Sequence, residues 1–336
     1  MLHTQIPRIS VVVIGRNEGD RLIRCLQSIR QVAFPENEIE LIYVDSQSTD
    51  HSPEHATRFG AKVLVVKPER PTAAWGRNAG WRAASAPYVL FLDGDTILHP
   101  DFLKKALPEF QNPEIAVVWG HRREINQKGS IYNRVLDLEW IYPIGSSDFC
   151  GGDALMRRKV LEEMGGYDEH LIAGEEPELC RRMRGAGYVV KHIDQPMTGH
   201  DLAMTSFSQY WKRAYRTGHA YAEIAWRFRK TSNPVWMPEL KHNFMHGGFM
   251  LGLGGLSLSG AFMVSYWFMA LPWILMVLLA ARTARRYRWR TQHVYLGFLY
   301  GLHSHFQKIP IFLGQAQFFI NRLRGKKNHL IEYKQV

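Results

Sequence analysis

Cysteine is scarce in this sequence, and its spacing excludes two common structural frameworks. Only three cysteines occur among 336 residues, Cys25, Cys150 and Cys180, and no two form a Cys-x-x-Cys pair. A disulfide scaffold or a structural zinc site needs more thiols or closer pairs. The first residues also lack a charged stretch followed by an apolar core, so we expect no cleavable secretion signal. These absences indicate a reducing compartment.

Charged residues are missing from one long segment. Between Lys241 and Arg282 there is no Asp, Glu, Lys or Arg, and glycine, leucine, methionine and tryptophan dominate. This length exceeds the roughly 20 apolar residues that one membrane helix needs. We therefore expect an apolar hairpin at about 244–281, with a turn at Ser257–Gly260 and glycines at the contact between its helices. A buried hairpin in a soluble domain is the alternative.

Two basic clusters flank the segments at about 293–322. These segments are apolar and aromatic but are interrupted by polar residues, so they predict interfacial helices. The positive-inside rule places both clusters in the cytoplasm. These clusters carry much of the formal net charge of +11, and we expect them to bind membrane lipids. No nucleic-acid-binding motif is recognised, so we expect no nucleic acid partner. The clusters are Arg282, Arg285, Arg286, Arg288 and Arg290, and then Arg322, Arg324, Lys326 and Lys327.

The first part of the chain alternates strands with helices. Four apolar runs predict strands: Ile9–Ile14, Ile39–Val44, Val63–Val66 and Tyr88–Leu92. Such alternation predicts an α/β domain with a mostly parallel sheet flanked by helices. Ligands of these sheets bind beyond the carboxyl ends of the strands. Five polar residues would converge there: Asp45, Arg77, Asn78, Asp93 and Asp95.

Two aspartates, Asp93 and Asp95, close the last of these strands with one glycine between them. Side chains two residues apart in a strand point the same way, so both carboxylates can reach one ion. Mg²⁺ and Mn²⁺ prefer oxygen ligands and leave room for substrate phosphates. The pair therefore predicts a divalent-cation site for a diphosphate. A solvated turn is the alternative, because Asp and Gly are common turn residues.

Seven short motifs follow one another along the first part of the chain: Val11–Glu18, Val44–Asp50, Gly76–Gly80, Asp93–Asp95, Gly151–Arg157, Gly165–Glu169 and Gly174–Glu176. In this order they resemble the motifs of family 2 glycosyltransferases of GT-A fold. The resemblance covers about residues 8–220, and ordered motifs together are more specific than any single one. It implies a GT-A catalytic domain, which we place at residues 1–230, and the apolar and basic segments after it predict a C-terminal α-helical membrane-anchoring region over 231–336.

The resemblance also implies roles for individual residues. Asp45 would hold the base of a nucleotide-diphosphate sugar donor, and Asp93 with Asp95 would bind Mg²⁺ or Mn²⁺ and the diphosphate. His200 lies where family members often have a histidine near the metal, and a loop histidine without a ligand is the alternative. Further donor-binding residues in the matching motifs are Gly15, Asn17, Glu18, Arg77 and Asn78.

Glu176 falls where the family commonly has the aspartate that acts as catalytic base, so Gly-Glu-Glu here departs from the usual Gly-Glu-Asp. Sugar transfer with inversion needs a carboxylate that takes the acceptor proton. Glu175 is the rival candidate. Alternatively, these acids have a structural role alone, because acidic side chains stabilise the first turn of a helix through its dipole. Pro177 also suits a position early in such a helix.

The basic and aromatic stretch at 209–216 is similar to a segment that processive members use near the acceptor. Arg213 or Arg216 would bind the diphosphate there, because a guanidinium matches phosphate oxygens bidentately. The alternative is an amphipathic helix with its cations in water.

Taken together, these features predict a membrane-associated, metal-dependent, inverting glycosyltransferase of hexosyltransferase type. We expect it at the cytoplasmic face of the inner membrane, with a polyprenyl-linked or glycan acceptor, in surface or exopolysaccharide biosynthesis. A processive polysaccharide synthase, a nucleotidyltransferase and a noncatalytic GT-A-like scaffold are the alternatives. One hairpin forms only a small channel for a polymer unless subunits assemble into a homo-oligomer. We therefore expect the addition of single sugars.

Overall fold

The structure is a computed structural model that describes residues 8–67, 72–231 and 234–325. The chain divides into two compact units. The first unit comprises Met1–Ile125 and Trp140–Asp201, and the second comprises Asn126–Glu139 and Leu202–Val336. The predicted functional division near residue 230 stays a prediction. Residues 1–7, on which the expectation of no secretion signal depends, lie outside the described residues, as do Lys326 and Lys327 of the predicted basic tail.

One mixed sheet forms the centre of the first unit. Its strands run in the order β3-β2-β1-β4-β8-β6-β9-β5, and β7 pairs with β9. The strands are β1 (Ile9–Gly15), β2 (Ile39–Asp45), β3 (Lys62–Val65), β4 (Tyr88–Asp93), β5 (Thr96–Leu98), β6 (Ile115–Glu124), β7 (Gly145–Ser146), β8 (Ala154–Arg157) and β9 (Val189–His200).

The half of the sheet formed by the four predicted strands is parallel, and the other half is mixed. β1 pairs in parallel with β2 and β4, with Gly15 opposite Asp45 and Ile14 opposite Asp93. These strands therefore end at one common edge. β8 is antiparallel to both β4 and β6, whereas β6 and β9 are parallel. The predicted strands are confirmed, and the parallel arrangement stops at β8.

Helices pack on this sheet through buried apolar faces. Leu22, Leu26 and Ile29 of α1 are buried at the predicted helical spacing. Gly80 lets α3 approach β1 closely, since a Cβ there would lie 2.1 Å from Val12 Cγ1. The helices up to residue 185 are α1 (Asp20–Arg30), α2 (Ser52–Arg58), α3 (Ala73–Ala83), α4 (Phe102–Ala106), α5 (Ile131–Asp137), α6 (Arg158–Met164) and α7 (Glu175–Gly185); of these, α5 belongs to the second unit.

The second unit is helical. Ser206 and Gln209 form a capping box that begins α8. Glycines bring α8 and α12 together, because a Cβ at Gly218 would lie 2.0 Å from the carbonyl oxygen of Ile311. The two predicted interfacial helices correspond to α11 and α12. The helices are α8 (Phe207–Phe228), α9 (Met237–Met263), α10 (Ala270–Arg286), α11 (Val294–Phe306) and α12 (Lys308–Leu323).

α9 and α10 follow one another with a short 3-10 turn between them, and the predicted turn at Ser257–Gly260 is wrong. α9 continues to Met263, and the carbonyl oxygen of Gly260 accepts hydrogen bonds from the backbone N–H groups of Val264 and Ser265. A helix keeps its backbone groups paired, so single serines and glycines within it do not end it. The expectation that glycines form the helix contact also fails in part. A Cβ placed at Gly252, Gly254 or Gly255 would meet no side chain or other helix within 4 Å, whereas a Cβ at Gly247 would lie 2.3 Å from the carbonyl oxygen of Lys308 in α12.

Apolar side chains on α9 and α10 are unusually exposed. Phe262 is 95% exposed and Trp273 is 72% exposed, and Leu256 and Leu278 are also exposed. Among the described residues, the segment Tyr266–Arg286 alone is long and apolar enough to cross a membrane. It consists of a short 3-10 turn at Tyr266–Met269 followed by α10. A surface of this kind is unusual for a protein that contacts only water.

Candidate active site

Three residues that could hold a cation meet at the ends of β4 and β9. Asp93 ends β4, and His200 ends β9 opposite Thr96. His200 Nε2 lies 3.4 Å from Asp95 Oδ1, and ligand atoms of Asp93, Asp95 and His200 lie within 4.8 Å of one another. Carboxylate oxygens with one imidazole nitrogen suit a divalent ion such as Mn²⁺. The structure thus brings the predicted metal residues together, and their donor set fits the predicted ion.

A single arginine joins this group to the candidate bases. Arg77 on α3 is 2% exposed, and its Nη2 lies 3.0 Å from Asp93 Oδ1. Its Nη1 lies 2.9 Å from Glu175 Oε1 and 3.0 Å from Glu176 Oε1. A buried guanidinium with three carboxylates is a strongly charged pairing that holds all three in place. Gly152 is packed against it, since a Cβ there would lie 2.6 Å from Nη2.

The two candidate bases begin α7. Gly174 precedes them with a φ of +85°, which turns the chain into the helix. Burial and the neighbouring Glu175 raise the pKa of Glu176 to about 7, although Arg77 acts in the opposite direction. The Glu176 side chain is 16% exposed, compared with 8% for Glu175. Glu176 is therefore the more accessible of the two carboxylates.

Asp153 lies beside the candidate cation ligands, and the sequence pattern did not point to it. Its Oδ1 accepts a hydrogen bond from the backbone N–H of Asp93 at 3.1 Å, and its Oδ2 accepts one from Thr198 Oγ1 at 2.7 Å. Burial raises the pKa of Asp153 to about 6. Asp153 thereby ties β4 to β9, the two strands that carry the candidate ligands. The sequence does place this acid directly before the buried strand β8, inside the motif Gly151–Arg157.

Two residues predicted to bind the donor, Asp45 at its base and Asn17, make hydrogen bonds in the loops after β1 and β2. Asp45 is buried, and its carboxylate accepts hydrogen bonds from the Ser48 backbone at 2.8 Å and from the Tyr43 hydroxyl at 3.1 Å. Asn17 Oδ1 accepts from the Thr49 backbone at 2.7 Å. The Asp45 bonds lie within the loop after β2, and the bond from Thr49 to Asn17 joins the two loops at the sheet edge. The donor contacts of Asp45 and Asn17 stay predictions.

Glu18 packs beside the Asp-Gly-Asp loop. Cβ atoms placed at Gly15 and Gly94 would each lie 3.1 Å from Glu18 Cγ, and the Glu18 carboxylate pairs with Arg21 at 3.2 Å. The glycines allow this side chain to fit between the ends of β1 and β4. Contact of Gly15 and Glu18 with a donor is a prediction.

Asn78 and Arg213 make contacts elsewhere. Asn78 is fully buried, where it donates to the Tyr167 carbonyl at 2.9 Å and accepts from Trp81 Nε1 at 2.8 Å. It therefore braces α3 inside the first unit. Arg213 belongs to the second unit and pairs there with Glu139 at 3.1 Å. The donor roles of both residues stay predictions.

Replacing Arg77 with methionine is expected to destabilise the protein by about 3–5 kcal/mol, because three carboxylates would lose their buried partner. The loss should be smaller at pH 5 than at pH 8, since unpaired buried carboxyls take up protons more readily. Chemical unfolding at both pH values measures it. Arg82→Met is the control, because Arg82 lies on the same helix, is half exposed and forms its ion pair with Glu169 at the surface. Equal losses for the two variants would contradict the prediction.

Two family models match the chain. The model described as Glycosyl transferase family 2 matches residues 10–165. The model described as Glycosyl transferase family group 2 matches residues 88–284, which is more than half of the 336 residues. The two matches overlap across β4 to β8, which includes Asp93, Asp95 and Asp153, whereas Glu175 and Glu176 lie within the second match alone.

Curated relatives are similar at low identity. The chain is 22% identical to glycosyltransferase AglE of Haloferax volcanii over 65% of this chain and 74% of that protein. It is 24% identical to a poly-beta-1,6-N-acetyl-D-glucosamine synthase of Staphylococcus epidermidis over 67% of this chain and 57% of that protein. It is 27% identical to the O-antigen chain rhamnosyltransferase WbaN of Salmonella anatum over 56% and 64%. The chain thus spans between about half and three quarters of these proteins.

Solved structures share the fold. The mannosyltransferase PcManGT of Pyrobaculum calidifontis, solved with GDP-Man and Mn²⁺, is 18% identical, with a TM-score of 0.57 over 96% of this chain and 89% of that chain. TarS 1–349 of S. aureus is 15% identical, with a TM-score of 0.52 over 96% and 93%. At these identities the likeness concerns the fold alone. The predicted GT-A fold with a helical C-terminal region is confirmed.

Proposed function

The chain belongs to glycosyl transferase family 2, and we propose that it moves one sugar, with inversion, from a nucleotide-diphosphate sugar to an acceptor hydroxyl. The observation that supports this most directly is the pairing of Arg77, which contacts Asp93 of the cation group through Nη2 and Glu176 through Nη1. A cation-binding acid and a candidate base are thereby held on two sides of one rigid side chain.

In the proposed reaction, Glu176 takes the proton of the acceptor hydroxyl. The acceptor oxygen forms a bond to the anomeric carbon, and the bond from that carbon to the diphosphate breaks, with the electron pair leaving on the diphosphate oxygen. The proton stays on Glu176 until solvent removes it. A divalent ion held by Asp93, Asp95 and His200 would supply charge neutralisation for the diphosphate.

Glu175 has a different role in this proposal. It is the less exposed of the two glutamates and shares Nη1 of Arg77 with Glu176. Its negative charge also contributes to the raised pKa of Glu176. We therefore assign Glu175 to positioning Arg77 and Glu176, which leaves the more accessible carboxylate free to reach an acceptor.

Donor turnover is the test of the proposed function. The detergent-purified chain would be screened by thermal shift and by nucleoside diphosphate release against UDP-, GDP- and dTDP-sugars, each with Mn²⁺, with Mg²⁺ and with chelator. Ligand binding to the folded state stabilises it by RT ln(1 + L/Kd), where L is the free ligand concentration, so the unfolding temperature rises with affinity and with ligand concentration. We expect a metal-dependent shift and release with one nucleotide class. No shift and no release with any donor would reject the proposal. The solved mannosyltransferase bound to GDP-Man and Mn²⁺ makes GDP-mannose the first donor to try.

Membrane association is the second part of the proposal. The exposed apolar side chains of α9 and α10 support insertion of this hairpin into the inner membrane. Arg282, Arg285 and Arg286 end α10, so the positive-inside rule favours a cytoplasmic end for that helix. An inserted hairpin returns the chain to the side from which it entered, so the catalytic part would also face the cytoplasm and its nucleotide sugars. The acceptor would be a polyprenyl-linked or glycan molecule of surface polysaccharide biosynthesis.

Placing three charges on the hairpin is expected to move the chain from the membrane fraction to the soluble fraction. The variant carries Phe262→Asp, Trp273→Asp and Leu278→Asp, which put costly carboxylates on the proposed lipid-facing surface. The matched control carries aspartate at three exposed isoleucines outside the hairpin, and it should remain in the membrane: Ile125, Ile131 and Ile144. Carbonate-washed fractions measure the partition. If the two triple variants partition alike, the hairpin is not the anchor.

A further inference from the structure

Three histidines of the second unit lie close together on two of its helices. His242 and His246 are one turn apart on α9, with 5.7 Å between their ring centroids, and His305 lies near the end of α11. The ring centroids of His246 and His305 are 5.1 Å apart, with 20° between the ring planes. The proposed reaction uses none of these side chains.

The rings of His246 and His305 meet through nitrogen atoms. His305 Nδ1 lies 3.2 Å from His246 Nε2 in hydrogen-bond geometry. Only one proton fits between two such atoms, so at least one of them presents a lone pair to the other. An unprotonated imidazole nitrogen is a preferred ligand of Zn²⁺, Cu²⁺ and Ni²⁺. The pair therefore has the chemistry of a transition-metal site.

The second nitrogen of His305 determines which atom carries the lone pair. Its Nε2 lies 3.2 Å from the carbonyl oxygen of Leu279 and 2.8 Å from Thr283 Oγ1, both on α10. A carbonyl oxygen can only accept, so Nε2 carries the proton and Nδ1 turns its lone pair toward His246. Histidines that bind metals usually donate their other N–H to a carbonyl or carboxylate in this way. Contacts with α10 thus orient His305 as a ligand.

The separation of the two facing nitrogens suits a tetrahedral ion. With Zn–N bonds of about 2.0–2.1 Å, the observed 3.2 Å between the nitrogens gives an angle of about 100° at the metal. This value is close to the tetrahedral angle of about 109° that zinc adopts in proteins. A zinc ion would therefore replace the hydrogen between the rings with little movement, and His246 would keep its own proton on Nδ1.

His242 is the third imidazole. It is exposed, so its side chain can change rotamer toward the pair at little cost. Residues four apart on a helix share one face, and two histidines at this spacing are a known zinc-binding arrangement. The exposed position of His242 also gives an ion a path from solvent to the more buried pair.

We propose that His242, His246 and His305 bind one Zn²⁺ ion, with water as the fourth ligand. The ion would join α9 to α11, and the contacts of His305 with Leu279 and Thr283 bring α10 into the same site. Zinc would thereby fasten the two helices of the proposed apolar hairpin to α11. Mg²⁺ and Mn²⁺ prefer oxygen ligands, so this site differs in its ion from the group of Asp93 and Asp95.

Positive charge near the three histidines limits the affinity of the site. Lys308 Nζ donates to Asn243 Oδ1 at 2.6 Å, and Asn243 follows His242 on α9. Lys308 and Arg282 are both close enough to His305 for their charges to act on it. These cations repel a bound ion, so we expect weaker binding than in closed zinc sites with thiolate ligands.

Zinc titration of the full chain in detergent tests the site. The titration uses an Asp95→Ala background with excess Mg²⁺, because the candidate active-site group could otherwise take up zinc itself. We expect calorimetry to report one equivalent of Zn²⁺ per chain with a Kd in the micromolar range. Co²⁺ in place of Zn²⁺ should give the visible absorption of a tetrahedral site. Absence of both signals would overturn the inference.

Three single substitutions identify the ligands: His242→Gln, His246→Gln and His305→Gln. Each should lower the zinc affinity at least about tenfold and change the Co²⁺ spectrum, since losing even an outer partner of a metal ligand costs 10–100-fold. His242 is exposed, so its replacement tests the site without disturbing buried packing. The matched control replaces His51 and His55 with glutamine, a pair with the same spacing and 6.4 Å between centroids but at α2 in the first unit.

The outcomes of these titrations are distinct from those that test the proposed function. Equal zinc binding by the parent and by all three single variants would mean an adventitious ion only and would overturn the site, as would a loss of binding in the control alone. Unchanged affinity in His242→Gln would also overturn the three-histidine site. Donor turnover with Mn²⁺ or Mg²⁺ is measured on the wild-type chain, so the proposed function stands or fails independently of zinc.

Discussion

Replacing Asp95 with alanine is expected to lower metal-dependent sugar transfer by more than about 100-fold, because losing even an outer partner of a metal ligand costs 10–100-fold. The Asp95 carboxylate is buried beside His200 and belongs to the group that can hold a cation. The remaining carboxylate and imidazole would bind the ion weakly and leave the diphosphate charge poorly neutralised. Nucleoside diphosphate release measured over a series of Mn²⁺ concentrations reports both losses.

Two variants control this experiment. Asp95→Asn keeps the size of the side chain and should also fail, since an amide is a weaker cation ligand than a carboxylate. Asp101→Ala removes an exposed acid close by in sequence and should transfer normally. Transfer by Asp95→Ala at the wild-type rate and with the same metal dependence would show that this group does not hold the ion.

Glu176→Gln is expected to keep donor binding and to lower the rate of transfer by about 10²–10⁴-fold, the usual contribution of general base catalysis. Glutamine keeps an oxygen for Arg77 but cannot accept a proton from the acceptor. Thermal shift with the donor and Mn²⁺ measures binding, and product formation in a single turnover measures transfer. Glu175→Gln is the matched control, because it removes a charge from the same helix turn and the same guanidinium. A larger loss in Glu175→Gln, with Glu176→Gln nearly unaffected, would move the base to Glu175.

The pH dependence of transfer checks the same assignment. A base must be ionised, and the pKa of Glu176 is raised to about 7, so the rate should increase as pH rises from 6 to 8. Glu176→Gln should remove that increase. The sign for stability is opposite: a folded pKa above the unfolded value means that the folded state binds more protons, so the contribution of Glu176 to stability falls as pH rises from about 4.5 to 7.

Local patterns in the sequence were sufficient for several features. The four strands of the parallel half, the aspartate pair at the end of β4 and the helix that begins with the two glutamates all follow from short runs of apolar or acidic residues. Such patterns depend on neighbouring residues only, and a parallel sheet gathers its strand ends at one edge. The position of Asp93 and Asp95 at that edge is therefore predictable from the sequence alone, and their binding of a metal ion stays a prediction.

Other features depend on residues that are distant in sequence. Arg77 lies 98 residues before Glu175 yet is hydrogen-bonded to it. The sequence pattern did not reveal that this one guanidinium contacts both Asp93 of the cation group and the two candidate bases. The contacts of Asp153 with the Asp93 backbone and with Thr198 were likewise evident only in the structure, because β4, β8, β6 and β9 meet in an order that no local pattern specifies. The hairpin turn was misplaced because a helix continues through serine and glycine wherever its backbone hydrogen bonds are kept. The sequence by itself determined which residues end the strands and which segment is apolar; the tertiary structure alone decided which side chains touch, since burial and charge pairing act through space rather than along the chain.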